Sequence, residues 1–450
     1  MMNNIKINRG LNIKLKGIAE KTTSEAGTSA LFAIKPPDFE GLIPKLVVKV
    51  GHEVKAGSVL FYDKYKTEIK FTSPVSGKVA MIERGERRRI LAVVVESDNK
   101  QEYEAFKQGD PSNMSREDIV ENLLNSGVWP LIKQRPYGII AKPDVTPKAI
   151  FISAYDSAPL GVDYNYVLKN ESEMFQKGID VLKQLTSGKV HLGVNGQEAI
   201  IDTFKNCKNV ELTAYSGSHP SGLVGTHINR LCPINKGEHV WQINPQDVLI
   251  IGRLFAEGRF DAKRTIALAG SEVEKPQYYT SMLGASIDSI VSKAIKGENV
   301  RIISGNVLTG TKVCKKGYVG FYDALISVIP EGNHHQFFGW LTPNFHKFSM
   351  SKTYFSWLMP SKTYALDTNF NGGHRAFVVS GQYEKVVPLD IYPVELLKAC
   401  LVEDIDKMEQ LGIYEVIEED FALCDYVCTS KQETQDILRK GLQLMIKEVG

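Results

Sequence analysis

The chain has 450 residues, room for about three domains, with 54 basic against 52 acidic side chains and a net charge of +2. That balance, without a basic stripe or an acidic tail, argues against a nucleic-acid partner. Six cysteines without a Cys-x2-Cys pair read as reduced cytosolic thiols, and the longest apolar runs, 90–95 and 248–251, fall far short of the ~18 residues of a membrane span.

The N-terminus alternates polar and apolar residues through Lys16 and lacks the apolar core of a signal peptide. Residues 1 to about 100 read as all-β: short alternating runs at 5–7, 46–50 and 59–62 are separated by glycine and proline. Gly51 and Gly57 flank one strand; in Ser73-Pro74-Val75-Ser76-Gly77, Pro74 presets a turn and Gly77 is free to take positive φ. These phrases resemble a biotinyl/lipoyl-type barrel-sandwich domain. Lys64, the tempting modification site, lies nine residues before Ser73 and lacks flanking methionines. A borrowed scaffold is expected, not a carrier.

Ser115-Arg-Glu-Asp118 caps a helix with Ile119, Val120, Leu123 and Leu124 on one face, ending at Gly127. The proline- and aromatic-rich run 128–138 is either a packed linker or a rigid, partly exposed surface. Next come a buried strand at 149–154, a helix at 171–185, a strand at 189–194, a helix at 197–205 and a strand at 210–215. That β-α-β-α-β order predicts a parallel sheet, whose ligands sit beyond the strands' carboxyl ends. After the first strand no glycine comes before Gly161, so the pyrophosphate-binding turn is missing and NADH binding by this unit is not expected. The third strand runs into a loop, 216–227, with three glycines, His219 and His227. Either the histidines polarise or protonate a quinone or carboxylate oxygen, or they are satisfied by backbone in a subunit-contact loop. A metal site is weaker, because no third ligand is evident.

Strands at 265–269, 278–283 and 300–303 around a helix at 287–295 give β-β-α-β, the order of a β-grasp fold. His334 and His335, a weak metal signal, precede an aromatic run through Trp340. The region to Tyr383 is rich in aromatics and turns. A helix is expected from Pro393 to Gly412, with Leu396, Leu397, Cys400, Ile405 and Met408 at helical spacing, and a second at 435–447.

Between these helices lies Glu418-Glu-Asp-Phe421-Ala-Leu-Cys424-Asp-Tyr-Val-Cys428. A bacterial-type iron–sulfur run needs Cys-x2-Cys-x2-Cys-x3-Cys. Cys424 and Cys428 keep its last spacing, while Phe421 and Glu418 stand where two more cysteines belong. The plainer alternative is two buried cysteines on one helical face.

The domain order, with the phrases 71–77, Arg135-Pro136, 218–227, 375–391 and 418–431, resembles the A-subunit family of the sodium-translocating NADH:quinone oxidoreductases. RnfC and the flavoprotein subunit of respiratory complex I are related. The resemblance implies a multidomain α/β and β chain: a barrel-sandwich hybrid (1–100), a linker helix and Rossmann-like α/β domain (101–255), an SLBB-like β-grasp domain (256–335), and an aromatic-rich segment with a helical domain resembling a degenerate iron–sulfur domain (336–450). It implies a peripheral subunit on the cytoplasmic face of the bacterial inner membrane. Partner subunits, some in the membrane, would carry the flavins and iron–sulfur centres between NADH and quinone, with sodium export. Ser126-Gly-Val-Trp-Pro130 stands where relatives have a flavin-binding loop, so no flavin is expected in this chain. Leu389-Asp-Ile-Tyr-Pro393, without cysteines, stands where RnfC's first cluster run would end, and Cys424 and Cys428 are the remnant of the second, so no cluster or metal is expected either. Quinone is the expected small molecule, with Phe32, Phe39, Trp129 and Tyr137 lining a slot and Arg135, His219 or His227 donating to a carbonyl. The alternatives are an assembly subunit without a small-molecule site, and a biotin carrier modified at Lys64.

Overall fold

The computed structural model describes residues 3–27, 30–292, 294–333, 337–339, 341 and 344–450. The barrel-sandwich unit pairs a four-stranded sheet (Leu31–Ile34, Ile90–Ser97, Gly77–Arg84, Glu53–Val54) with a three-stranded one (Pro44–Leu46, Val59–Asp63, Lys70–Thr72). Alternation sends Phe61, Phe71, Val79, Val93 and Val95 inward, where each is buried. Phe61 stacks on Phe71 at 4.7 Å, and Phe39 meets Phe71 edge-on at 4.5 Å.

Two strands within residues 3–25, expected in this barrel, pair elsewhere. Asn3–Ile7 runs parallel to Glu211–Gly217 with Ile5 opposite Tyr215. Glu20–Glu25 joins the edge strand Gln277–Met282 of the grasp sheet. The alternation at 5–7 is that of a strand, but period 2 does not encode the partner.

The α/β unit is a seven-stranded sheet whose five parallel strands run in the order Asn3–Ile7, Glu211–Gly217, Lys189–Asn195, Ala149–Ser153, Val240–Ile243. Lys133–Arg135 and Ile139–Ile140 add antiparallel beyond Val240–Ile243. The 128–138 run is thus a packed edge of this sheet. Helices Ser172–Gln184 and Pro245–Glu257 pack backbone to backbone. A Cβ on Gly178 would lie 2.1 Å from the Val248 carbonyl oxygen, and one on Gly252 2.0 Å from that of Met174. The apolar run 248–251 lies in the second of these helices, buried throughout. The helix expected at 197–205 is only Asp202–Lys205, because Asn195 turns the chain by accepting from the Gln197 amide and donating to Glu198.

The grasp unit is a six-stranded mixed sheet: Thr311–Val313, Val300–Ser304, Leu325–Pro330, Lys263–Ala269, Gln277–Met282 and Glu20–Glu25. Its helix is one turn, Asp288–Val291, not 287–295, because Ile295 is drawn into a bridge with Val273. The C-terminal unit packs Pro393–Leu401, Ile405–Gln410, Ala422–Val427 and Thr434–Glu448 around Leu396, Leu397, Met408, Leu438 and Leu442. The single helix expected through Leu411 breaks in two, with Glu403 at positive φ and the Asp404 carboxylate capping the second at the Lys407 amide. Gly441, inside the last helix, faces the Cys400 sulfur, which a Cβ would approach to 2.5 Å. Among the described residues no helix is long and apolar enough to cross a membrane.

Candidate functional site

Strand order reverses between Ala149–Ser153 and Val240–Ile243: the chain builds one way from Ala149–Ser153, then returns to its other side. Such a switch point opens a crevice beyond the carboxyl ends of the strands. A cleft of about 450 Å³ lies there, with Ser153 ending one strand, Tyr155 and Asp156 following it, and Gln242, Ile243 and Asn244 at the end of the other. The barrel contributes Lys35 and Asp38, the grasp unit Phe321 and Tyr322, and the C-terminal unit Glu418 and Glu419, so all four units meet at this cavity.

The walls are tied by polar contacts. The Phe321 amide donates to Asp38 Oδ2 at 2.8 Å, and Lys35 Nζ lies 3.3 Å from Asp38 Oδ1. Burial holds the Asp38 carboxyl above its usual range, against the pull of Lys35. Tyr322 Oη donates to the Pro130 carbonyl at 2.7 Å, and Lys133 Nζ sits 4.0 Å from the centre of the Tyr322 ring. Asp156 accepts from the Ala158 and Val162 amides, and burial raises its pKa too. Burial also pushes the Tyr164 and Tyr322 phenols up, so both stay protonated donors. The cleft therefore offers aromatic wall, ammonium groups and neutral hydroxyls side by side.

The seven residues expected to hold quinone do not converge on one open slot. Phe32 is in the barrel core. Phe39 is buried behind the cleft wall, 4.7 Å from Phe321 and 5.8 Å from Tyr322. Trp129 is fully buried, donates Nε1 to the Ala141 carbonyl at 2.8 Å and meets Trp241 edge-on. Tyr137 is buried against Tyr414. His219 pairs through Nδ1 with Ser157 Oγ at 3.1 Å, and His227 donates Nε2 to the Ser221 carbonyl at 2.9 Å while stacking on Tyr215 at 3.6 Å. Burial pushes His219 down to about 4 and His227 down to about 3, so both are neutral near pH 7. The segments that carry these residues nevertheless border the cleft, through Leu131, Lys133, Gly138 and Gly222. Lys35, Asp38 and Lys133 lie on the segments that carry the expected aromatics, 32–39 and 129–137, but were not themselves singled out. Asp156 and Tyr322 were missed, and of these only Asp156 had a signal, its place after the first parallel strand.

Arg135 joins two stretches read separately in the sequence. It is wholly buried, with Nη1 2.6 Å from Asp420, Nη2 2.6 Å from Glu419 and Nε donating to Gln242 at 2.9 Å. Cys424 and Cys428 lie just beyond. Both are buried, and burial holds the Cys424 thiol far above its usual value. Cys428 Sγ accepts from Tyr383 Oη at 2.9 Å and from the Gln432 amide at 3.3 Å. Phe421 is core, and Glu418 pairs with Arg439. Two hydrogen-bonded or protonated thiols beside a phenylalanine do not fit a four-thiolate cluster. Among the described residues no group of three or more His, Cys, Asp or Glu could hold a metal; His334 and His335 lie outside them. Lys64 is exposed in the bend after Val59–Asp63, 5.3 Å from the Tyr65 ring.

Three family models follow the same units along the chain: the NqrA N-terminal barrel-sandwich hybrid domain at 5–98, the NqrA second alpha/beta domain at 114–260, and the NQRA C-terminal domain, of SLBB type, at 265–315. The chain is of the class that joins a barrel-sandwich, an α/β and an SLBB domain. The A-subunit of the Na(+)-translocating NADH-quinone reductase from Neisseria meningitidis serogroup B is 40% identical over 447 residues, covering 99% of this chain and 100% of the relative. The corresponding proteins of Photorhabdus laumondii (38%) and Hahella chejuensis (39%) cover the same shares. The chain belongs to the A-subunit family, NqrA, of the Na(+)-translocating NADH-quinone reductases. Among solved structures, an NAD+-reducing [NiFe]-hydrogenase chain matches at 11% identity and a TM-score of 0.39 over 76% of this chain and 62% of its own, too distant to carry an argument.

Proposed function

We propose that this chain is a peripheral subunit of a sodium-pumping NADH:quinone reductase, on the cytoplasmic face of the membrane, contributing to quinone reduction coupled to sodium export. The observation that carries it is 40% identity to an NqrA protein across the full length of both chains. Flavins and iron–sulfur centres belong on partner subunits, including membrane subunits. In this reading the α/β unit is a Rossmann-like scaffold without its nucleotide turn, and the C-terminal helices are an iron–sulfur domain emptied of its cluster. Phe421 and the hydrogen-bonded Cys428 support the second point.

The cleft is the place for the quinone ring. A quinone needs a flat apolar wall and a few donors. Phe321 and Tyr322 supply the wall, and Lys133, above the Tyr322 ring, is placed to donate to a carbonyl oxygen. Phe39 backs that wall, Arg135 holds Glu419 at its rim, and the segments of Trp129, Tyr137, His219 and His227 shape it. Tyr322→Leu and Lys133→Met in the assembled complex should raise the quinone KM at least severalfold and leave NADH oxidation by a soluble acceptor unchanged. A quinone KM and inhibitor sensitivity equal to wild type in both variants would overturn the cleft assignment.

A second reading is an assembly subunit that binds no small molecule, favoured by the burial of all seven expected side chains. Quinone titration of the isolated protein separates the two: it is expected to quench tryptophan emission saturably if the cleft binds, and not if the chain only docks.

A further inference from the structure

Among its described residues, the stretch between the grasp sheet and the C-terminal helices has little regular structure beyond the turn Phe355–Leu358. Its composition is lopsided. Between Glu331 and Glu384 the sequence has one acidic residue, Asp367, against Lys347, Lys352, Lys362 and Arg375. Phe348, Met350, Leu366 and Phe377 pack against the C-terminal core, but other large apolar side chains point outward: Phe337 is 90% exposed, Leu341 65%, Leu358 56% and Trp357 51%, and Phe345 and Phe370 are exposed as well. They belong to one surface. The Phe345 and Phe355 rings are 5.2 Å apart, and Tyr354 Oη donates to the Gly339 carbonyl at 3.4 Å. Lys347 lies 5.5 Å from the Tyr354 ring and donates to Asn371, next to Phe370.

Apolar surface left open on this scale marks an interaction site, and the lysines indicate what it meets. Lys352 lies 5.8 Å from the exposed Trp357 ring, and Lys431 5.9 Å from that of Phe370. Lys362 and Lys347 donate to the Phe345 carbonyl and the Asn371 amide, not to carboxylates. A protein covering this surface would have to bury the rings and also supply several carboxylates to the ammonium groups. An anionic headgroup layer does both at one depth: rings seat at the acyl boundary while lysine stems reach back to phosphate.

We propose that this aromatic–lysine surface seats on acidic phospholipid, anchoring the chain at the membrane surface independently of what the cleft binds. The test is flotation of the full-length purified protein with phosphatidylcholine vesicles and with phosphatidylcholine–phosphatidylglycerol vesicles. The protein should float with the acidic vesicles and be released by salt. Lys347→Gln, Lys352→Gln and Lys362→Gln together should weaken that association by on the order of fivefold for each lysine. Trp357→Ser with Leu358→Ser should weaken it further. Should either set lower the melting temperature, the exposed single changes Lys352→Gln and Trp357→Ser serve in its place. No flotation of the wild-type protein with acidic vesicles, or equal flotation of both variant sets, would overturn the proposal and leave the surface to a protein partner.

Discussion

Arg135 Nη1 lies 2.6 Å from Asp420 Oδ2, a contact between residues 285 positions apart in which both side chains are buried. Asp420 Oδ2 also accepts from the Ile417 amide at 3.0 Å, and its other oxygen would lie 2.1 Å from a Cβ on Gly225, at the start of helix Val224–Leu231. One carboxylate thus joins the edge of the parallel sheet, a sheet helix and the C-terminal unit. Removing one partner strands a buried charge, so Arg135→Met should cost about 3–5 kcal/mol. The double variant Arg135→Met/Asp420→Asn should cost well under the sum of its parts. Urea denaturation of the four proteins measures the cycle; strict additivity would show that the pair is not a unit.

The two loop histidines make stability depend on pH. Each is neutral in the fold, with a pKa lowered from an ordinary value near 6.5 to about 4 for His219 and about 3 for His227. The unfolded chain therefore binds more protons over that range. Their contribution is fully present above about pH 6.5 and is lost as pH falls through about 4 and then about 3. Each neutral histidine adds up to about 1.4 kcal/mol per pH unit to the slope. His227→Phe keeps a ring on Tyr215 and removes the titration, so stability measured between pH 6.5 and 4.5 should fall less steeply by about that amount.

Gly178 and Gly252 let two helices touch along their backbones. Gly178→Ala would push a methyl to 2.1 Å from the Val248 carbonyl oxygen, where neither helix has slack. A loss of about 1–3 kcal/mol is expected, as for other overpacked interiors. Gly237→Ala, with nothing within 4 Å of its Cβ, is the control for a generic glycine effect, strained by its positive φ but not crowded. Equal losses in the two variants would remove the packing argument.

Cys424 and Cys428 behave in the fold as core thiols. Anaerobically purified protein should hold no stoichiometric iron or flavin, and Cys424→Ala should change stability by roughly 1–2 kcal/mol through the small cavity alone. Cys428→Ala removes the acceptor of the Tyr383 hydroxyl, and Tyr383→Phe in that background should recover part of the loss. Stoichiometric iron that disappears in Cys424→Ala would return the chain to the electron path.

Local pattern carried much of the architecture. Period-2 runs with glycine and proline punctuation marked barrel strands, and the 3.6 spacing of Leu396, Leu397, Cys400 and Met408 marked C-terminal helical structure, though not the break into two helices at Glu403. Phe421 at a ligand position was enough to question a cluster, because ligation is a matter of side-chain chemistry. Pairing partners were beyond reach: the strand at Ile5 was legible, but not that it would bind Tyr215 instead of the barrel. Arg135 was legible as a singular residue, but not its carboxylate partners in the C-terminal unit.

What the sequence by itself determined is much of the list of secondary elements and the residue types at each motif position, since both depend on near neighbours in the chain. The tertiary structure alone decided the site. The cleft is lined from Lys35 to Gln435 by all four units, and the side chains singled out earlier turn into the core while their neighbours face the cavity. Which side of a segment meets a cavity is set by how distant units pack, and no local period records it.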